Sequence, residues 1–185
     1  MTAPEQPLHE HLRRHARQRP DAAAVIWYGR AISWRELDDW SDALGAHLQS
    51  LGVAPGQPVA LFMNNCPQYL LAHYAIQKIG AIVCPCGPLN KAHELQYQLE
   101  DLQARVILAA DNLLPIVDQV RAQTALAHVL AVRYGDLLPA APTLAVPTEL
   151  QAAPAPLPAA VGDLLQIAQQ GAAQGQRPRP LAIGL

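Results

Sequence analysis

Between Val59 and Val132 four short apolar runs, Val59–Met63, Ala81–Cys84, Val106–Ala109 and His128–Val132, alternate with segments of helical length and period. A strand covered on both faces reads as one continuous apolar run, and parallel neighbours need a crossover of about a dozen residues or more between them. The alternation therefore predicts βαβ units and an α/β fold: a mainly parallel sheet with helices on both faces. Helices are expected from Pro67 to Gly80, from about Lys91 with Asn90 as its cap, and from Leu113 to Gln123, with Pro85 to Leu89 as a loop.

Upstream, Leu8 to Arg17 predicts a short helix that stops before Pro20, because proline disfavours the helical state in the residue before it. Ala24–Tyr28 and Ala31–Trp34 flank Gly29-Arg30 as the arms of a β-hairpin with a glycine in its turn. The second arm runs into a helix opened by Ser33 and Glu36, which have the spacing of a capping box. Leu37, Trp40, Leu44, Leu48 and Leu51 recur at steps of three and four as one apolar stripe, and Gly52 closes the helix.

Beyond Pro139 the composition shifts toward proline and alanine. Residues 1–150 are expected to form the α/β unit, and residues 151–185 a Pro/Ala/Gln-rich linker or partly ordered tail. Within that tail Val161–Gln170 predicts a short helix, and Leu181–Leu185 the opening of a strand. About half of the chain is apolar (51%), enough for a core, and the formal charge of -2 argues against a nucleic-acid or anionic-membrane partner. No apolar run approaches the roughly 18 residues of a membrane span, and the polar N-terminus is unlike a signal peptide. The expected location is the cytoplasm. Cys66, Cys84 and Cys86 have neither disulfide-framework nor zinc spacing, and are expected to be thiols without a special role.

Motifs for chemistry are missing. Neither GxGxxG, GxxxxGK[ST] nor GxSxG occurs, so no glycine loop for phosphate and no nucleophile elbow is present. His11 and His15 lie one helical turn apart without a third ligand, which favours a solvated face over a metal site. Asp38-Asp39 and Glu100-Asp101 point about 100° apart on helices and read as solvated surface. Lys91, His93 and Tyr97 read as a half-exposed helix face, and Trp27, Trp34 and Trp40 as core or interface. No catalytic residue and no metal ligand is identified.

Four stretches, in order, resemble the start of the adenylate-forming (AMP-binding) enzymes, which include acyl-CoA synthetases, nonribosomal peptide synthetase adenylation domains and luciferase. Ile32-Ser-Trp-Arg-Glu-Leu37 resembles the first core motif, Leu-Thr/Ser-Tyr-x-Glu-Leu. Gly52-Val-Ala-Pro-Gly-Gln-Pro-Val-Ala-Leu61 resembles a G-V-x-x-G-D-x-V-A turn and strand, with Gln57 in the aspartate position. Ile76-Gln-Lys-Ile-Gly-Ala-Ile-Val-Cys-Pro85 resembles the second core motif, a helix ending at glycine before a strand that leads to proline. Leu95 to Val106 resembles E-L-x-Y-x-L-x-D-S-x-A-K-V, with Leu102 in the serine position. The order and spacing across residues 8–134 are more specific than any motif alone, and Gly135-Asp-Leu-Leu-Pro139 is similar to the long-chain fatty-acid CoA ligase branch.

The resemblance implies the N-terminal subdomain of an acyl-CoA synthetase-like fold. Its parent reaction would join a fatty or other carboxylic acid, ATP and CoA to give acyl-CoA, AMP and pyrophosphate. ATP, Mg and CoA are implied for the full-length parent, and no cofactor for this chain. The Ser/Thr/Gly-rich phosphate loop and the lysine-bearing C-terminal domain of the family have no counterpart in the sequence. The chain is therefore expected to be a truncated, inactive fragment that stops just before that loop. By resemblance, Cys86, Gly87 and Pro88 lie near the entrance for the CoA nucleotide; a plain strand-to-helix turn that needs a glycine is the preferred reading of the same residues. Two other readings stay open: a non-catalytic interaction or dimerisation module, and an unrelated doubly wound domain with a ligand at the carboxyl ends of its strands. Expected partners are the remainder of the parent enzyme or a second copy, met through an exposed apolar face.

Overall fold

The computed structural model describes residues 6–151 and 155–181. Its elements are α1 (Leu8–Gln18), β1 (Ala23–Trp27), β2 (Arg30–Ser33), α2 (Trp34–Ser50), β3 (Pro58–Phe62), α3 (Pro67–Lys78) and β4 (Ile82–Cys86). They continue with α4 (Ala92–Leu102), β5 (Val106–Ala110), α5 (Leu114–Arg121), β6 (His128–Val132), the single turn α6 (Thr148–Gln151), β7 (Val161–Asp163) and α7 (Leu164–Ala173).

Five strands form one sheet in the order β4-β3-β5-β6-β7, and every neighbouring pair is parallel. Successive side chains of a strand point to opposite faces, which splits the core in two. Val59, Leu61, Val106, Leu108, Leu130 and Val132 face α2, α3 and α7, where Leu44, Leu48, Ile76 and Leu164 meet them. Ala60, Phe62, Ile107, Ala109, Val129 and Ala131 face α4 and α5, against Leu95, Leu99, Val117 and Val120. The crossover through α3 steps outward from β3 to β4 over the first face. Those through α4 and α5 step the opposite way over the second, so all three have one hand, as parallel crossovers require.

Beside the sheet, β1 and β2 pair as a hairpin closed by Tyr28 and Gly29, both with positive φ (48° and 100°), the backbone of a two-residue type I′ turn. The capping box forms at the start of α2: Glu36 N–H donates to Ser33 Oγ at 3.1 Å, and Ser33 N–H donates to the Glu36 carboxylate at 2.8 Å. Gly52 takes a positive φ of 87° just past the end of that helix.

Three local expectations are corrected. Lys91, not Asn90, precedes α4; its N–H donates to Glu94 at 2.8 Å, while the Asn90 side chain turns away to Gln98. Strand β4 runs through Pro85 to Cys86 instead of stopping at Cys84, because an edge strand tolerates proline where no ladder partner needs its N–H. Asp111–Leu113 is a 3-10 turn, and α5 starts at Leu114 and ends at Arg121.

The segment after residue 150 is more than a linker. Val161, Gly162 and Asp163 pair with Val129, Leu130 and Ala131, so β7 completes the same sheet. Helix α7 buries Leu164, Leu165 and Ala168, and a Cβ on Gly171 would lie 2.9 Å from that of Ala43 on α2. Residues 182–185, most of the strand expected at the end of the chain, lie outside the described residues.

Candidate functional site at the carboxyl ends of the strands

In a sheet of this order the loops after β3 and β5 leave toward opposite faces, which opens a crevice between them. A cleft of about 1030 Å³ lies there. Asn64 and Asn65 enter it from the end of β3, Asp111 and Asn112 from the end of β5, and Arg133, Tyr134 and Asp136 from the end of β6. Trp27 of the hairpin, Leu114, Leu138 and Leu157 add apolar wall, and Leu150 and Gln151 of α6 reach over one side. Gly135 permits that approach, since a Cβ there would stand 2.7 Å from the Leu150 carbonyl oxygen.

Arg133 organises the floor. Its Nη1 donates to Asp163 at 2.6 Å, Nη2 donates to the Ala155 carbonyl at 3.0 Å, and its own carbonyl accepts from Gln68 Nε2 at 2.7 Å. Asp163 also caps α7, accepting from Gln166 N–H at 2.9 Å, so one carboxylate ties β7 to the cleft. The Tyr134 hydroxyl accepts from Asn64 N–H at 2.7 Å, joining the ends of β6 and β3. Burial, reinforced by Asp163 and Asp111 and opposed by Arg133, pushes the Asp136 carboxyl up to about 6. The residue keeps an exposed side, so solvent screens part of that repulsion. Arg133 Nε and Trp27 Nε1 are buried donors without a hydrogen-bond partner among the described residues.

The charge balance limits the chemistry. Among the described residues Asp111, Asp118 and Asp136 line the cleft with one cationic side chain, Arg133, already paired to Asp163. Such a surface suits apolar groups and hydrogen-bond donors and repels a triphosphate or pyrophosphate.

The residues singled out by resemblance sit elsewhere. Cys86 ends β4 with its side chain buried against the α4 and α5 face, and burial pushes its thiol up to about 11. Gly87 is exposed and opens a turn in which Asn90 N–H donates to its carbonyl at 2.9 Å; a Cβ there would meet Asn90 Oδ1 at 2.8 Å. Cys86, Gly87 and Pro88 share the carboxyl end of the sheet with the cleft but do not line it. His93 and Tyr97 lie exposed on α4. The His15 ring packs against Trp34 with centroids 4.6 Å apart.

Sequence reasoning missed the cleft residues, whose only signal is being the first polar positions after each apolar run. It also misread Asp38. Far from being plain solvated surface, Asp38 pairs with Lys78, whose side chain is 0% exposed and whose Nζ also donates to the Asp38 carbonyl at 2.8 Å. Asp42 stands 2.8 Å from the same Nζ, and Arg177 reaches Asp39 at 2.7 Å and Asp42 at 3.3 Å.

A family model described as AMP-binding enzyme matches residues 12–173. The chain is 33% identical over 120 residues to a long-chain-fatty-acid–CoA ligase of Bacillus subtilis, covering 65% of this chain and 21% of that enzyme. It is 39% identical over 108 residues to a nonribosomal peptide synthetase of Aspergillus ustus, covering 58% of this chain and 3% of that protein. The solved structure of an anthranilate CoA ligase in complex with anthranoyl-AMP matches with a TM-score of 0.67 at 27% identity, over 71% of this chain and 27% of that one. The chain thus spans 21% of the length of the Bacillus ligase. With the family's model running from α1 to the last residue of α7, this chain belongs to the AMP-binding enzyme family.

Proposed function

We propose that the chain supplies the N-terminal α/β part of an ATP-dependent acyl-CoA ligase. In the parent reaction a fatty or other carboxylic acid displaces pyrophosphate from ATP, and CoA then takes the acyl group from the adenylate as a thioester, releasing AMP. The observation that carries this reading is the continuity of the family match through every strand of the sheet, joined to relatives named as CoA ligases. ATP, Mg and CoA are the parent's ligands, and the CoA nucleotide is proposed to pass the turn at Cys86, Gly87 and Pro88. The compartment proposed is the cytoplasm; among the described residues no helix is long and apolar enough to cross a membrane.

The chain alone is proposed to be inactive. Its sequence holds no Ser/Thr/Gly-rich loop, and the cleft's carboxylates oppose the charge that builds as pyrophosphate leaves. Pyrophosphate release and thioester formation, assayed with ATP, Mg, CoA and a panel of carboxylic acids, test this beside the Bacillus enzyme as control. Silence from the chain is expected, and turnover above background would overturn the inactivity. A chimera with this chain in place of the matching part of the Bacillus ligase is expected to make acyl-CoA. A folded but silent chimera would sink the ligase reading.

A further inference from the structure

After α7 the chain turns at Gly175, whose φ is 68°, and Gln176-Arg-Pro-Arg-Pro-Leu181 then runs beside α2. Its contacts fall in order along one face of that helix. Arg177 Nη2 meets Asp39 at 2.7 Å, and its Nε meets Asp42 at 3.3 Å. Pro178 lies over Gly45, where a Cβ would stand 3.6 Å from the proline's own. The Gln49 amide grips the backbone of Arg179 on both sides, accepting from its N–H at 2.7 Å and donating to its carbonyl at 3.2 Å. Leu181 ends the row against Gly80, where a Cβ would lie 2.9 Å from Leu181 Cδ2. Asp39, Asp42, Gly45 and Gln49 follow one another at steps of three and four, so they share a face.

Other contacts hold the parts of this groove in place. The Asp42 side chain is 9% exposed and meets Lys78 at 2.8 Å and Arg13 at 3.5 Å, which fixes its carboxylate. A Cβ on Gly45 would stand 3.2 Å from both the Ala75 carbonyl oxygen and Ile79 Cγ2, so close packing of α2 on α3 keeps a trough there. The segment in the trough has the form of a ligand. Gln176, Arg177, Arg179 and Pro180 are exposed, so charge and hydrogen bonds hold it rather than core burial. Pro178 and Pro180 fix their own φ and push Arg177 and Arg179 toward extended backbone. The sequence thus brings much of its seated conformation with it, and loses little entropy on docking.

We propose that this face of α2 is a recognition site for extended arginine-proline peptides, and that residues 176–181 fill it in cis, keeping it closed to others. Gln49 reads the peptide backbone, Gly45 admits the proline ring, and Asp39 with Asp42 selects arginine. One guanidinium spans those two carboxylates through separate nitrogens, a geometry that a lysine ammonium does not reproduce. Nothing in the site depends on the ligase reading.

A synthetic peptide with the sequence of residues 175–181 tests this. It is titrated by NMR into the 185-residue chain and into Arg177→Glu, whose reversed charge drives its own segment away from Asp39 and Asp42. Circular dichroism melts establish that both fold. Release of the segment is read from the Arg179 amide, expected to exchange about tenfold faster in the variant, the scale of one hydrogen bond. A short tether holds its ligand at a millimolar effective concentration, so a segment seated in cis implies a dissociation constant in trans of about 1 mM or below. The variant is expected to bind in that range, with shifts at the Gly45 and Gln49 amides that weaken in high salt. The unaltered chain should bind several-fold more weakly, as should the Arg177→Lys peptide with the variant. A released Arg179 amide without binding at about 10 mM peptide, ten times that bound, would overturn the recognition site. Unchanged Arg179 exchange in the variant, or equal affinity of the two chains, would overturn the closure in cis.

Discussion

The ion-pair cluster around Lys78 gives the sharpest stability prediction. Lys78 sits at the end of α3 with its side chain fully buried, against Asp38 and Asp42 of α2. The Asp42 side chain is only 9% exposed and also meets Arg13 of α1 at 3.5 Å and Arg177, in the segment after α7, at 3.3 Å. Lys78→Met keeps the apolar stem and removes the charge, leaving two carboxylates facing each other in a nearly dry site. Breaking one side of a buried pair costs about 3–5 kcal/mol. Arg13 and Arg177 remain to compensate part of it, so about 3 kcal/mol is expected. For a domain of this size that is about 6–12 °C in Tm. Urea unfolding followed by circular dichroism measures the loss. Adding Asp38→Asn and Asp42→Asn to Lys78→Met should restore most of it, since no unpaired charge is then buried. A Lys78→Met chain within about 1 kcal/mol of the parent, or a triple variant no better than the single one, would show that water reaches the cluster and the burial argument is wrong.

Asp136 should make stability depend on pH in a direction opposite to an ordinary paired carboxylate. Its folded value is raised from 3.8 to about 6, so between those values the folded state holds a proton that the unfolded chain has lost, and stability falls as pH rises. Asp136→Asn should remove that fall: the difference between variant and parent grows from nothing below about pH 4 to its full value above about pH 6, read from denaturant midpoints at each pH. His9, His47 and His73, lowered chiefly by burial, impose the opposite slope on both proteins and cancel in the comparison. Gly135→Ala puts a Cβ 2.7 Å from the Leu150 carbonyl and should displace α6 from the cleft. It is expected to cost about 1–3 kcal/mol, and to speed proteolysis within residues 147–151; unchanged cleavage would refute the contact.

The central strands were legible because each is buried on both faces and so carries a run of four or five apolar residues. Strand β7 carries no such signal. Val161-Gly-Asp163 is strand because β6 offers an unpaired edge, because Gly162 leaves room for Leu130, whose Cδ2 would stand 2.7 Å from a Cβ, and because Arg133 holds Asp163. All three causes lie at least 28 residues away in sequence, beyond the reach of local pattern. The pattern pointed the wrong way there, since Val161–Gln170 read as one short helix after a Pro/Ala linker, whereas its first three residues are strand and the helix runs from Leu164 to Ala173.

The cleft and the Lys78 cluster fail to show in sequence for a related reason, though each left a trace. Lys78 falls three residues after Ala75 and seven after Leu71, on the face of α3 that both bury, and a cation there needs a buried partner. Asp38 and Asp42 are four apart on α2, so they share a face and can clasp one ammonium, whereas the adjacent pair Asp38-Asp39 cannot. The spacing to weigh was four, not one. At the cleft, Asn64, Asp111 and Arg133 each come within two residues of the end of a strand, where a parallel sheet must bring its loops together. Parallel topology thus turns three positions with no mutual sequence pattern into one surface. Its excess of carboxylates, among the described residues, marks it as ground for apolar and donor groups rather than for anions.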